Sequence, residues 1–237
     1  MGLVPRTYPP CPNLENIELY ALMDPAREVG GDFYDFFPLD DTRFAMAIGD
    51  VSGKGVPAAL FMAVTRSFLR SLVREEADQS VVMTRLNDEL SRDNDACMFV
   101  TLFCAVVHLD TGECRFANGG HNPPFIVRAD GSVVMLPAVK GVAVGALEGV
   151  QYTEDRVTLR SDDTLFVYTD GVTEAMNPDN ELFDEERTIA SIKTHHMKTC
   201  KEMLMAIRDD LSGFANGAEQ SDDITMMAFR NRRPSGS

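Results

Sequence analysis

Aspartates stand beside glycines at four well-separated places in this chain: Val29-Gly30-Gly31-Asp32-Phe33-Tyr34-Asp35, Gly49-Asp50-Val51-Ser52-Gly53, Tyr168-Thr169-Asp170-Gly171 and Ser221-Asp222-Asp223-Ile224-Thr225. A hard divalent cation needs such groups, because oxygen ligands from separate strands can converge on it and glycine lets backbone carbonyls approach. One segment alone reads as a polar turn, since Asp and Gly favour turns for conformational reasons. Four together point to a metal site, and a site so acidic takes phosphate only through metal. Three of the segments follow apolar runs, Arg43 to Ile48, Thr164 to Tyr168 and, less directly, Ile17 to Met23. The acids are therefore expected at strand ends.

The elements that must hold them follow from periodicity. Ile17 to Met23 reads as a strand, and Phe33 to Leu39 with Arg43 to Val51 as a hairpin turning at Asp40-Asp41. Leu60, Val64, Phe68 and Leu72 recur every fourth residue, so Pro57 to Glu75 is expected to be an amphipathic helix. Arg66, Arg70 and Arg74 occupy another face, read as solvated, with a docking surface for an acidic or phosphorylated partner as the sharper alternative. A second helix spans Ser80 to Ser91, followed by a meander of Thr101 to Leu109 and Glu113 to Ala117. Phe125 to Arg128 and Ser132 to Leu136 flank the hairpin signal Asp130-Gly131, and Tyr152 to Leu159 with Thr164 to Tyr168 is read as another pair across Ser161-Asp162-Asp163. Thr199 with Glu202 forms a capping box opening a helix to Leu211, with Met203, Ile207 and Leu211 inward. Ile224 to Phe229 closes the chain as a strand. Segregated helices and antiparallel strands indicate an α+β fold with helices covering the outer faces of stacked sheets.

Composition narrows the function. With 237 residues and 44% hydrophobic content the chain can bury one substantial core, and a single domain is expected. Twenty-two basic against 37 acidic side chains give a net charge of −15, which repels a nucleic-acid backbone. The five cysteines are odd in number and form no CxxC pair, which argues against zinc and a disulfide framework and fits a reducing cytoplasm. No run is read as long and apolar enough to span a bilayer. Met1 to Arg6 resembles a protease-site remnant of an expression vector, so native sequence is expected to begin near Thr7 or Tyr8, and Asn231 to Ser237 is expected to be a disordered polar tail.

Ala26 to Asp35, Gly49-Asp50-Val51-Ser52-Gly53-Lys54-Gly55, Asn118-Gly119-Gly120-His121-Asn122-Pro123-Pro124, Tyr168 to Glu174 and Asp222-Asp223-Ile224-Thr225 resemble, in order, the SpoIIE branch of bacterial metal-dependent serine/threonine phosphatases, the PPM or protein phosphatase 2C-like family. The resemblance runs from about residue 9 to 230, so 7–230 is expected to be one phosphatase domain. It implies a four-layer α-β-β-α sandwich, two stacked and mainly antiparallel sheets flanked by helices, with two Mn2+ or Mg2+ ions at one end. Carried over by position, Asp50 bridges both metals, the Val51 carbonyl binds one, Asp32 serves one metal, and Asp170 with Asp222 serves the other. Asp223 belongs to the metal site from behind these ligands. Two bridged cations bring the pKa of a shared water toward neutrality and neutralise phosphoryl oxygens, with no covalent enzyme intermediate.

Arg27 is the candidate for holding substrate phosphate, although the SpoIIE branch has no clear counterpart to the basic residue of the eukaryotic enzymes; a surface pairing with Glu28 or Asp24 is the plainer role. His121 reads first as a turn residue bonding backbone, and otherwise as an acid for the leaving oxygen. His195-His196 is expected to be solvent-exposed. The resemblance further implies a phosphorylated anti-sigma-factor antagonist of the STAS type as substrate, in a partner-switching pathway, with an N-terminal sensor or receiver domain in a longer protein; a homodimer contact is expected through Pro57 to Glu75 and Ser80 to Ser91. The alternative to an enzyme is a phosphatase-like module that only docks a partner; the intact acids argue against it. Gly49 to Gly55 is not a P-loop, since only three residues separate Gly49 from Gly53-Lys54 and Gly55 follows the lysine. A cyclase reading of Gly30-Gly31-Asp32-Phe33 leaves Asp170 and Asp222 unexplained.

Overall fold

Residues 16–26, 30–137 and 141–232 are described by a computed structural model. The remnant expected at Met1 to Arg6, the phosphate candidate Arg27 and residues 233–237 of the expected tail lie outside them. In chain order the elements are β1 (Ile17–Asp24), β2 (Phe33–Pro38), β3 (Arg43–Val51), α1 (Val56–Glu75), α2 (Gln79–Ser91), β4 (Val100–His108), β5 (Glu113–Gly119), β6 (Phe125–Val127), β7 (Val133–Met135), β8 (Asp155–Thr158), β9 (Thr164–Tyr168), α3 (Asp170–Thr173), α4 (Asp184–His195), α5 (Cys200–Ala215) and β10 (Ile224–Asn231).

These elements form two units whose segments alternate along the chain, so no single point divides them. The first holds residues 30–122, 137 and 141–158 and contains an antiparallel sheet in the order β2-β3-β4-β5-β8. Helices α1 and α2 pack together against it, burying Met62, Leu69, Val73, Val82, Met83 and Leu86 over Ala45, Ala47, Leu102 and Cys104. The second unit holds residues 16–26, 123–136 and 159–232, with the antiparallel order β1-β10-β9-β6-β7. Here α5 lies on β1 and β10, and Met203, Leu204, Ile207 and Leu211 are buried with Phe166, Tyr168, Met226 and Ala228. Two antiparallel sheets, each flanked by helices, make the fold α+β as expected.

Several expectations are corrected. Tyr152 to Leu159 does not pair with Thr164 to Tyr168: β8 joins β5 in one sheet while β9 lies between β10 and β6 in the other. Ser161-Asp162-Asp163 is therefore a crossing between sheets, and its turn chemistry is shared by both kinds of connection. Asn231 is not tail but the buried last residue of β10, paired with Ile17, and the Arg232 amide donates to the Asn16 carbonyl at 2.7 Å.

Helix α1 departs most. Its buried residues are Ala58, Met62, Thr65, Leu69, Leu72 and Val73, whereas the stripe Leu60, Val64 and Phe68 is exposed, Leu60 to 64%. The arginine row is only in part the solvated face expected: Arg74 is exposed, while Arg66 and Arg70 are drawn inward. Arg66 and Arg70 both ion-pair with Asp35 of β2, which is 1% exposed, and Arg70 and Arg74 each lie 4.7 Å from the centre of the Phe37 ring. A buried carboxylate needs a partner, and that requirement outweighs the burial of three more apolar side chains. Asp35 in turn raises the Arg70 pKa. By length and composition α1 also reaches what a bilayer span needs, contrary to the sequence reading, although its inner face belongs to this packing.

Candidate metal centre

Antiparallel pairing brings the acids together two by two. In the β2-β3 hairpin Phe33 pairs with Gly49, so Asp32, one residue before β2, stands beside Asp50 near the end of β3. Asp32 is buried and Asp50 half-buried. The Val51 amide donates to the Gly31 carbonyl at 3.3 Å, and a Cβ on Gly31 would lie 2.6 Å from the Val51 carbonyl oxygen and 3.3 Å from Asp50 Oδ1. Only glycine permits that approach of carbonyl and carboxylate. The acids were expected at strand ends; Asp50 is, but Asp32 precedes its strand. The reason is antiparallel geometry, which sets an incoming strand beside an outgoing one.

The second unit repeats the arrangement with different parts. Asp170 opens α3 directly after β9, and Asp222 and Asp223 directly precede β10, whose Met226 pairs with Tyr168. The Thr169 amide donates to the Thr225 carbonyl at 3.0 Å, the Thr225 amide donates to Thr169 Oγ1 at 3.1 Å, and a Cβ on Gly171 would collide with the Asp223 backbone. Asp223 is buried and accepts the Ala26 amide at 2.8 Å, while Asp222 is half-buried and accepts the Asp223 amide at 2.9 Å. This division fits Asp222 as a ligand and Asp223 as the residue bracing the loop behind it. Burial, then the charges of Asp170 and Asp222, raises the Glu174 pKa above its ordinary value. Negative charge is thus crowded here, as a cation would relieve.

All these donors are hard oxygens suited to Mg2+ or Mn2+. Among the described residues no three His, Cys, Asp or Glu side chains form a ready-made cage, so each sheet supplies a pair rather than a complete ligand set. Two neighbours of these acids were missed in the sequence. Thr101 pairs in register with Asp50, a relation that only the β3-β4 pairing reveals. Glu174 follows Asp170 at helical i,i+4 spacing, which was legible within Tyr168 to Glu174.

His121 sits in the expected turn. Its amide donates to Asn118 Oδ1 at 2.7 Å, the Asn118 amide group donates to its carbonyl at 2.9 Å, and its Nδ1 lies 3.0 Å from Thr101 Oγ1. His195 and His196 are not freely exposed: Nε2 of His195 lies 3.0 Å from Asp210 Oδ2 on α5, and Nδ1 of His196 lies 2.7 Å from the Lys193 carbonyl. An acid fifteen residues away, brought in by helix packing, was invisible to local reading.

The fold is that of solved PP2C-type domains. The SiaA-PP2C domain of Pseudomonas aeruginosa superposes with a TM-score of 0.79 over 90% of this chain and 85% of that one, at 23% identity. Residues 40–232 match the family described as Stage II sporulation protein E (SpoIIE), and the chain belongs to that family. Protein IcfG of Synechocystis sp. is 35% identical over 93% of this chain, and the phosphoserine phosphatase RsbU of Bacillus subtilis is 29% identical over 93% of it. The chain spans 39% and 65% of the lengths of those two relatives.

Proposed function

We propose that this domain hydrolyses phosphoserine or phosphothreonine on a protein, with two divalent cations, Mn2+ or Mg2+, as cofactors. The carrying observation is the repeated device of one acid leaving a strand and one entering its antiparallel neighbour, Asp32 with Asp50 and Asp170 with Asp222. Asp32, Asp50 and the Val51 carbonyl would hold cation on one sheet, Asp170 and Asp222 on the other. When bound, the cations supply Lewis acidity toward water and phosphoryl oxygens. The chain's own residues set the stage: Gly31 and Gly171 permit the close approaches, and Thr169 and Asp223 fix the β9-β10 end.

The substrate we propose is a phosphorylated STAS-type anti-sigma-factor antagonist in a partner-switching pathway, within a longer protein carrying an N-terminal sensor or receiver domain. The family and the lengths of the relatives support that reading. The exposed stripe Val56, Leu60, Val64 and Phe68 on α1 supports a homodimer or a contact with that further domain. A cytoplasmic setting agrees with free thiols at Cys97, Cys104, Cys114 and Cys200.

Phosphate release from a phosphoserine peptide, with and without Mn2+ or Mg2+, tests the activity. Asp50→Asn and Asp170→Asn should each keep less than about a tenth of wild-type turnover, a loss above ~1.4 kcal/mol. Retained turnover in either variant would refute the assignment, and absent turnover in the wild-type domain under saturating metal would favour the docking module. Cation should also raise the melting temperature, since a ligand at a hundredfold its Kd stabilises by about 2.7 kcal/mol.

A further inference from the structure

A cleft of about 490 Å³ opens in the second unit beside the Asp170 and Asp222 pair, lined by the turn after α3, the C-terminal half of α5 and the segment entering β10. Asp222 itself lines it, as does Gly171 next to Asp170. The hydrolysis proposed above makes no use of this space. Met176, Leu211 and Ile224 give it an apolar surface, and Asp24, Arg208, Asp209 and Glu219 give it a charged rim. The Arg208 guanidinium donates to Asp209 Oδ1 at 3.0 Å and also feels the Asp24 charge, so one basic group stands against three acids at Asp24, Asp209 and Glu219. With Asp222 assigned to a cation, Asp24 and Glu219 leave the rim negative, and no ion pair to Glu219 is found among the described residues. The rim is also held in place: the Gln220 side-chain amide donates to the Asp24 carbonyl at 2.8 Å and the Asp222 carbonyl at 2.7 Å.

We propose that this cleft is a specificity subsite receiving a lysine or arginine of the phosphoprotein substrate, one to three positions from the phosphorylated residue. The proposal rests on the phosphatase reading. Because Asp222 belongs to both cleft and candidate centre, a peptide whose phosphate lies at the centre passes the cleft within a few residues, each spanning at most about 3.6 Å. A long basic side chain suits both surfaces, its methylenes lying on Met176, Leu211 and Ile224 while its cationic head meets Glu219 and Asp24. An acidic side chain in the same place would meet like charge, and the net charge of −15 steers a basic segment toward the domain.

The test uses phosphoserine peptides identical except for Lys, Ala or Glu scanned through the three positions on either side. Turnover is read by phosphate release, binding by fluorescence anisotropy, and p-nitrophenyl phosphate serves as a substrate without flanking residues. At one or more positions Lys should exceed Ala in kcat/KM by up to about fivefold, the range of an exposed ion pair, with the preference shrinking as salt rises. Glu219→Lys should abolish or invert the preference while p-nitrophenyl phosphate hydrolysis stays within about twofold of wild type, and Glu219→Gln should fall between the two. Turnover with no Lys preference at any position, or a preference unchanged in Glu219→Lys, overturns the subsite. Lys-selective binding without turnover keeps the subsite and overturns the hydrolysis. Neither selective binding nor turnover overturns both.

Discussion

Helices α1 and α5 announce themselves in the sequence by the same apolar repeat and use it in opposite ways. In α5 the repeat Met203, Ile207 and Leu211 is buried, and the capping box at Thr199 and Glu202 forms. In α1 the repeat Leu60, Val64, Phe68 and Leu72 is exposed except at its last member, Leu72, while Arg66 and Arg70 turn inward to Asp35. A four-residue spacing therefore identifies a helix but not which side faces its own core. That choice is made by the most demanding group on the sheet beneath, here the buried Asp35 carboxylate, which takes the Phe36 amide and two guanidinium groups.

The sharpest way to break this contrast is to remove both arginines. Arg66→Ala with Arg70→Ala leaves the Asp35 charge buried alone and should cost about 3–5 kcal/mol in urea unfolding; a change under about 0.5 kcal/mol would restore the solvated-face reading. Ile207→Ala, fully buried in α5, should cost about 2–5 kcal/mol by the same measurement, as a core cavity does. Thr199→Ala removes the oxygen that accepts the Glu202 amide and should cost about 0.5–2 kcal/mol. Leu60→Asn should move stability by no more than about 0.5 kcal/mol, as an exposed site does, yet weaken self-association in sedimentation if the α1 stripe is an interface. A large loss of stability in Leu60→Asn would mean that the stripe is covered within its own unit.

Element types were legible because local periodicity and turn chemistry carry them: the β2-β3 hairpin, the β4-β5 meander, the β6-β7 hairpin and the cap of α5 all formed where expected. Strand partnership across a turn was not, as β8 and β9 show, because Ser161-Asp162-Asp163 suits a crossover as well as a hairpin. In the candidate centre, Asp50 and Asp170 were visible through the apolar runs before them. The place of Thr101 opposite Asp50 depends on β3-β4 register and, away from the centre, the pairing of Asp35 with α1 depends on helix packing; neither has a local signature. Glu174 is the exception, since its spacing from Asp170 could have been read.

The hairpin acts as a ruler for one acid pair. Asp32 and Asp50 sit at the open end of a ladder whose other end closes at Leu39 to Arg43, where the Leu39 amide meets the Arg43 carbonyl at 2.9 Å. Residues added at that closed end lengthen a surface loop without changing which positions stand opposite each other. One residue added within either strand shifts the alternation and turns an acid to the wrong side. Natural length variation in this hairpin should therefore gather at the closed end, while the count from Phe33 to Pro38 and from Phe44 to Gly49 stays fixed. Asp170 and Asp222 are set by the β9-β10 ladder and not by a hairpin: α4 and α5 intervene along the chain, so insertions there are absorbed by helices and loops, while strand register and the reciprocal bonds of Thr169 and Thr225 hold the spacing.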